Sequence, residues 1–183
     1  FGFAGWDASV SAALAIVAYL SETQRRALEH VRSLQRFDRS DHMGIDGNTL
    51  RCLAVHRTRR TNQRAGSLLH GIDRTCSGLG ARLLERWLAF PLTGYSAIVA
   101  RHDAVEELSA DRDRLGRLRS ELAGVAQIDR IAAAISMGRV RPRELVALGQ
   151  TLGRLPELAG LLTGTSADLL GDLAPRLTGL DAP

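Results

Sequence analysis

The chain has 183 residues, 45% of them hydrophobic and 24% charged, and its 24 basic and 20 acidic side chains leave a formal net charge of +4. That balance belongs to a globular chain rather than a disordered tail, and at this length one domain or two small ones bury roughly 70% of the unfolded surface. Every basic residue is arginine, and the missing lysine excludes a P-loop of the G-x-x-x-x-G-K-[ST] type, Schiff-base chemistry and a Ser–Lys dyad.

Aromatic residues make up only 4% of the chain, thin material for stacking single-stranded bases. Cys52 and Cys76 form no C-x-x-C, so neither a disulfide framework nor a zinc ribbon is signalled, and a reducing cytosol fits. His30, His42, His56, His70 and His102 stand at no ligand-type spacing with the cysteines, and no metal site is expected. The apolar run Ala12 to Leu20 falls well short of the roughly 20 residues that cross a bilayer. Its first basic neighbour, Arg25, follows it instead of preceding it, which argues against a signal peptide and for a cytoplasmic protein with no membrane partner. Phe1 in place of an initiator Met predicts a piece cut from a longer chain.

In chain order, Val10, Leu14, Val17, Leu28 and Val31 predict a long amphipathic helix over Ser9 to Arg32, with His30 and Arg32 at its carbonyl end. Phe37 to His42 reads as a charged connector. The alternation of Leu50, Cys52 and Ala54 with Arg51, Leu53 and Val55, after the turn residues Asp46-Gly47-Asn48, predicts a short β-hairpin near residues 43–55. His56 to Gly66 has no apolar period and four arginines, Arg57, Arg59, Arg60 and Arg64, and reads as an exposed basic loop over 56–66.

From Ser67 the helical period returns. Leu79, Leu83, Leu84, Trp87 and Leu88 form a stripe ended by Pro91; Ile98, Val105 and Leu108 form the next; Leu115, Leu118, Leu122 and Val125 another; Ile128, Ile131 and Ile135 a further one. Pro142 opens a helix bearing Leu145, Leu148, Leu152 and Leu155, and Pro156 is expected to bend or restart it before Leu158, Leu161 and Leu162. Thr163 to Ser166 mark a last break, and 163–183 begins a further helical segment with Leu169, Leu170, Leu173 and Leu177. The fold class is therefore mainly α, a bundle of long amphipathic helices, over one helical domain. Its expected core includes Leu14, Val17, Leu84, Trp87, Leu88, Leu118, Leu122, Ile131, Leu148 and Leu152.

Several of these segments together resemble one family. Ala12-Ala13-Leu14 with Tyr19-Leu20 and Thr23-Gln24 looks like the opening of the core domain in the MutS family of DNA mismatch repair proteins. Met43-Gly44-Ile45-Asp46 with Thr49 and Leu53, and Ser67-Leu68-Leu69 with Asp73, Thr75, Gly80, Arg82, Leu84, Trp87-Leu88 and Pro91-Leu92, are similar to the next two motifs in the family's order. Ile98, Arg101 and Ala104-Val105 follow, then Ile128-Asp129-Arg130-Ile131 and Pro142-Arg143-Glu144-Leu145, the last with Glu in place of the family's Asp. Cys76-Ser77-Gly78-Leu79-Gly80 departs from the family's usual Thr-x-Met-Gly-like step, Ala54 stands where Glu is common, and the arginine loop is more basic than the pattern suggests.

The resemblance implies the helical core, or lever, region of an ATP-driven dimeric clamp that recognises mispaired bases in duplex DNA and recruits a MutL-like partner. The family's mismatch-reading Phe-x-Glu is absent, and the nucleotide site is excluded by the missing lysine. On this reading the chain is not itself an enzyme and holds no cofactor; ATP and Mg belong to the parent protein, a homodimer. The expected role is mechanical. The alternative is a non-specific duplex-binding module in which Arg57, Arg59, Arg60 and Arg64 meet phosphates, against the plainer expectation of a solvated loop. An independent hydrolase or nuclease has no residue constellation behind it. Gly78-Leu79-Gly80 reads as a helix start or close helix approach rather than a phosphate cradle, and Asp73 and Asp129 as structural pairs rather than acid–base groups.

Overall fold

The computed structural model describes residues 8–23 and 41–178. The helices are α1 (Ala8–Thr23), α2 (Gly47–Cys52), α3 (Leu68–Ile72), α4 (Gly78–Ala89), α5 (Tyr95–Ala110), α6 (Arg112–Ala123), α7 (Ile128–Ser136), α8 (Pro142–Leu162), α9 (Asp168–Gly171) and α10 (Ala174–Thr178). The fold is mainly α-helical. The second half of the long helix expected over 9–32 and most of the charged connector lie outside the described residues.

Local chemistry explains five of the helix starts among the described residues. Asp46 accepts the Asn48 and Thr49 amides at 2.8 and 3.0 Å, Ser67 that of His70 at 3.2 Å, Ser77 that of Gly80 at 3.1 Å and Asp111 that of Arg114 at 2.9 Å. At the start of α8, Pro142 loses no intrahelical bond, and Glu144 reaches back to accept the Arg141 amide at 2.8 Å.

The hairpin expected near 43–55 does not form, because the Asp46 cap turns the following residues into α2. The β pairing among the described residues is one antiparallel bridge, His42 to Leu92, in which Met43 N–H donates to Pro91 O at 2.7 Å and Thr93 N–H to Asp41 O at 3.1 Å. Pro156 likewise neither ends nor restarts its helix: α8 runs through it to Leu162. The bond lost is the one to the Leu152 carbonyl, and Leu152 is partly exposed.

The core gathers where α5, α6, α9 and α10 meet the C-terminal half of α8. Leu118, Leu158, Leu161, Leu162 and Leu170 are buried there with Ala104 and Ala167. The two alanines let α5 and the start of α9 approach closely. α6 and α8 run antiparallel: Arg117 pairs with Glu157 at 2.6 Å and Glu121 with Arg154 at 2.8 Å, so residue numbers rise on one helix as they fall on the other. Gly124 makes room for this second pair, since a Cβ there would lie 2.4 Å from the Arg154 guanidinium carbon. One step further on, Thr151, with no exposed surface, accepts the Ala126 amide at 3.0 Å and donates to Ala147 O at 2.8 Å. α4 is tied to α7 by Arg82, which donates to both oxygens of Asp129 at 2.8 Å.

Of the expected core residues, Leu118 and Ile131 are buried, and Leu14, Val17, Leu84, Leu88 and Leu148 are half-buried. Trp87, Leu122 and Leu152 are corrections: they are 39%, 39% and 43% exposed, on faces that no described element covers fully. The Arg101 guanidinium lies 3.7 Å from the centroid of the Trp87 ring, so a cation shields a ring expected among leucines.

Glu107 on α5 fixes the turn before α9 by accepting the Ser166 and Ala167 amides at 2.8 and 2.7 Å. Those two backbone bonds, with a smaller contribution from Arg114, hold its carboxyl below the ordinary value of 4.5. A depressed folded-state pKa adds stability above the unfolded value and loses it as pH falls through the folded one. Glu107→Gln should therefore be less stable than the native chain at neutral pH, and the gap should shrink as the solution is acidified below about pH 4.5. Urea titrations from pH 7 to pH 3 measure this; a gap that stays constant with pH would refute it.

Candidate functional site

The basic loop 56–66 leaves the body after α2 and returns at α3. At its start three carbonyls of α2 are already used: Leu53 N–H donates to Thr49 O, Ala54 N–H to Arg51 O and Val55 N–H to Leu50 O. Ala54 adopts φ +50°, the left-handed conformation that turns the chain out of the helix. Its carbonyl and that of Val55 then accept the Leu68 and Leu69 amides at 3.0 and 2.9 Å. The two ends of the loop are thus clasped by backbone, with Val55, Ser67 and Leu69 buried beneath.

The loop has internal order. Thr58 N–H donates to Gln63 O at 2.9 Å, Asn62 N–H donates to Thr58 O at 3.0 Å with Asn62 at φ +52°, and the Thr58 and Thr61 hydroxyls lie 2.6 Å apart. The four arginines do not form one patch. Arg64 is taken by Asp73, whose carboxyl is held below its usual range first by the Thr75 hydroxyl and amide and then by Arg64. Arg57 donates to Asn62 O at 3.1 Å, while Arg59 and Arg60 are exposed with no partner among the described residues.

Arg57 and Arg59 border a cavity of about 470 Å³, completed by Leu50, Arg51, His56, Thr58 and Asn62. The His56 Nδ1 is buried and has no hydrogen-bond partner. Sequence reasoning missed Arg51 and His56, reading the first as a strand residue and the second as the edge of the loop; the spacing of basic groups at 51, 56, 57 and 59 is the signal that was available. Elsewhere, Gly78 lies against Gln127, with a Cβ there 3.0 Å from the side-chain nitrogen, and Asp129 is held by Arg82. Cys52 and Cys76 are free thiols. Among the described residues no group of three or more His, Cys, Asp or Glu side chains converges on a metal-sized site, and no helix is long and apolar enough to cross a membrane.

A profile described as MutS domain III matches residues 48–181. The chain belongs to the MutS domain III family. It is similar to the DNA mismatch repair protein MutS of Exiguobacterium sp., with 38% identity over 96% of this chain and 21% of that protein. The MutS proteins of Salinibacter ruber, at 37% over 97% of this chain and 20% of that protein, and Anaeromyxobacter dehalogenans, at 38% over 100% and 21%, are similarly related. The chain spans about a fifth of the length of these relatives.

Proposed function

We propose that this chain is the mechanical core of a mismatch repair protein, linking parts that hold mismatched duplex DNA to a nucleotide site outside these residues. That site would use ATP and Mg, in a longer cytoplasmic protein that acts as a homodimer with a MutL-like partner. On this reading the chain performs no chemistry itself. The observation that carries it is the α6–α8 pair: a 21-residue helix packed against its antiparallel neighbour, with two ion pairs across them and Thr151 tying α8 to the link that follows α6, inside a family whose relatives are named for mismatch repair. Rods held in this way move as units between discrete packings, and coupling of about 1–3 kcal/mol is enough to connect distant sites.

The test uses the full-length protein containing this segment. Trp87→Ala removes the Arg101 contact between α4 and α5, worth about 0.5–1 kcal/mol at a partly exposed site. We expect mismatch-dependent control of ADP–ATP exchange to weaken while mismatch binding and basal ATP hydrolysis persist. Unchanged control in a folded Trp87→Ala protein rejects the mechanical role. A second reading, direct duplex contact by the loop, is favoured only by the exposed, partnerless Arg59 and Arg60.

A further inference from the structure

We propose that α8 carries a built-in joint at Gly149–Gly153, about which the arm Pro142–Leu148 swings against the packed half of the helix. From Thr151 onward α8 is held down. Thr151 accepts the Ala126 amide, Arg154 and Glu157 are paired across to α6, and Leu158, Ala159, Leu161 and Leu162 are buried. Before Thr151 the helix has no buried residue, and Leu145 and Val146 are exposed. Its start is nonetheless firm, with Glu144 on the Arg141 amide and Pro142 in the first turn. One helix therefore joins a fixed half to a capped but exposed one.

The glycines at the boundary have no packing role. A Cβ at Gly149 or Gly153 would meet nothing within 4 Å, and neither residue adopts a positive φ. Gly124 is the contrast, since a Cβ there would strike Arg154. Inside a helix, a glycine that makes room for nothing only adds backbone freedom. Pro156 adds to it. Having no N–H, it leaves the Leu152 carbonyl, between the two glycines, without its helical donor, and its ring crowds that oxygen. Gly149, Gly153 and Pro156 are spaced four and three residues apart, so they share the exposed face, which can open without displacing a packed side chain. Thr151, on the opposite side, is the pivot, and it holds the α6–α7 link at Ala126. From there α7, which starts at Ile128 and packs on α8, continues the antiparallel progression toward the arm and moves with it.

The joint stands whatever the chain's larger role; only its use as the moving part of a mechanical core rests on that reading. Spin labels at Arg143→Cys on the arm and Ser109→Cys on α5 test it in the 183-residue chain, with Cys52→Ser and Cys76→Ser removing the native thiols. Double electron–electron resonance reads the distance between the labels, and a bent population beside the straight one is expected. Gly149→Ala with Gly153→Ala should reduce the bent population about five- to thirtyfold, the factor for the ~1–2 kcal/mol of helix preference that two such changes restore. Gly160→Ala is the control: it too meets open space in the same helix, but beyond the joint, and should leave the distribution unchanged. A single narrow distance in the native chain, a spread untouched by the paired alanines, or equal narrowing by Gly160→Ala overturns the joint. In the full-length protein the paired alanines should also weaken mismatch-dependent ADP–ATP exchange. A stiffened arm with unchanged exchange would reject that use and leave the joint in place.

Discussion

Leu158→Ala is expected to destabilise the domain by about 2–5 kcal/mol, the range for emptying a well-packed leucine site. Leu158 is 5% exposed and sits in the cluster with Leu118, Leu161, Leu162 and Leu170, where α8 meets α5, α6 and α9. The surrounding groups come from several elements held by the α6–α8 ion pairs and the Glu107 bonds, so the space does not refill without moving a helix. Leu152→Ala is the internal comparison. It removes the same atoms from the same helix, six residues earlier, yet from a side chain that is 43% exposed, and should cost less, about 1 kcal/mol. Urea unfolding followed by circular dichroism and by tryptophan fluorescence measures both; similar losses in the two variants would contradict the location of the core.

The second large effect is expected at Thr151. Its hydroxyl closes a buried chain of two bonds, from the Ala126 amide to Thr151 Oγ1 and on to Ala147 O. Thr151→Val keeps the shape and adds apolar surface, but strands the Ala126 N–H in the link between α6 and α7. We expect a loss of about 1–3 kcal/mol, the penalty for a buried donor left unpaired. Thr151→Ser, which keeps the hydroxyl and deletes a methyl, should lose only about 0.5–1.5 kcal/mol, comparable to removing one buried methyl(ene) group. Amide exchange at Ala126 separates the two causes: it should accelerate in the Val variant and stay protected in the Ser variant. Protection retained in Thr151→Val would show that the hydroxyl is not what holds this link.

These two residues also mark how far the sequence could be read. The helical stripes of α4 to α8 were legible because a 3.6-residue period in leucine and isoleucine is strong over long segments. Which side of a stripe is buried was not, since that depends on elements arriving from elsewhere: Leu118 and Leu122 share one period, and only Leu118 is covered. Thr151 falls three residues after Leu148, on the apolar face, and its polarity hid it. The hairpin was misread for a related reason. The alternation of Leu50, Cys52 and Ala54 with Arg51, Leu53 and Val55 is short enough to fit a strand or a turn of helix, and the Asp46 cap, with Thr49 three positions on, decided for helix. In the basic loop, charge was visible in the sequence but its division was not. Arg64 finds its carboxylate nine residues away and Arg57 finds a carbonyl five residues away, pairings set by the return path of the chain. The burial of one imidazole nitrogen has no signature in composition at all.

The backbone clasp beneath the loop, from Leu68 and Leu69 to the carbonyls of Ala54 and Val55, has a consequence for variation. Once two ends are held together, the entropy of closing the excursion between them grows only logarithmically with its length, about 0.6 kcal/mol for each doubling. Residues 56–66 can therefore lengthen, shorten or change in charge while the helices on either side keep their register. A segment insulated in this way is free to diverge on a scaffold that is not.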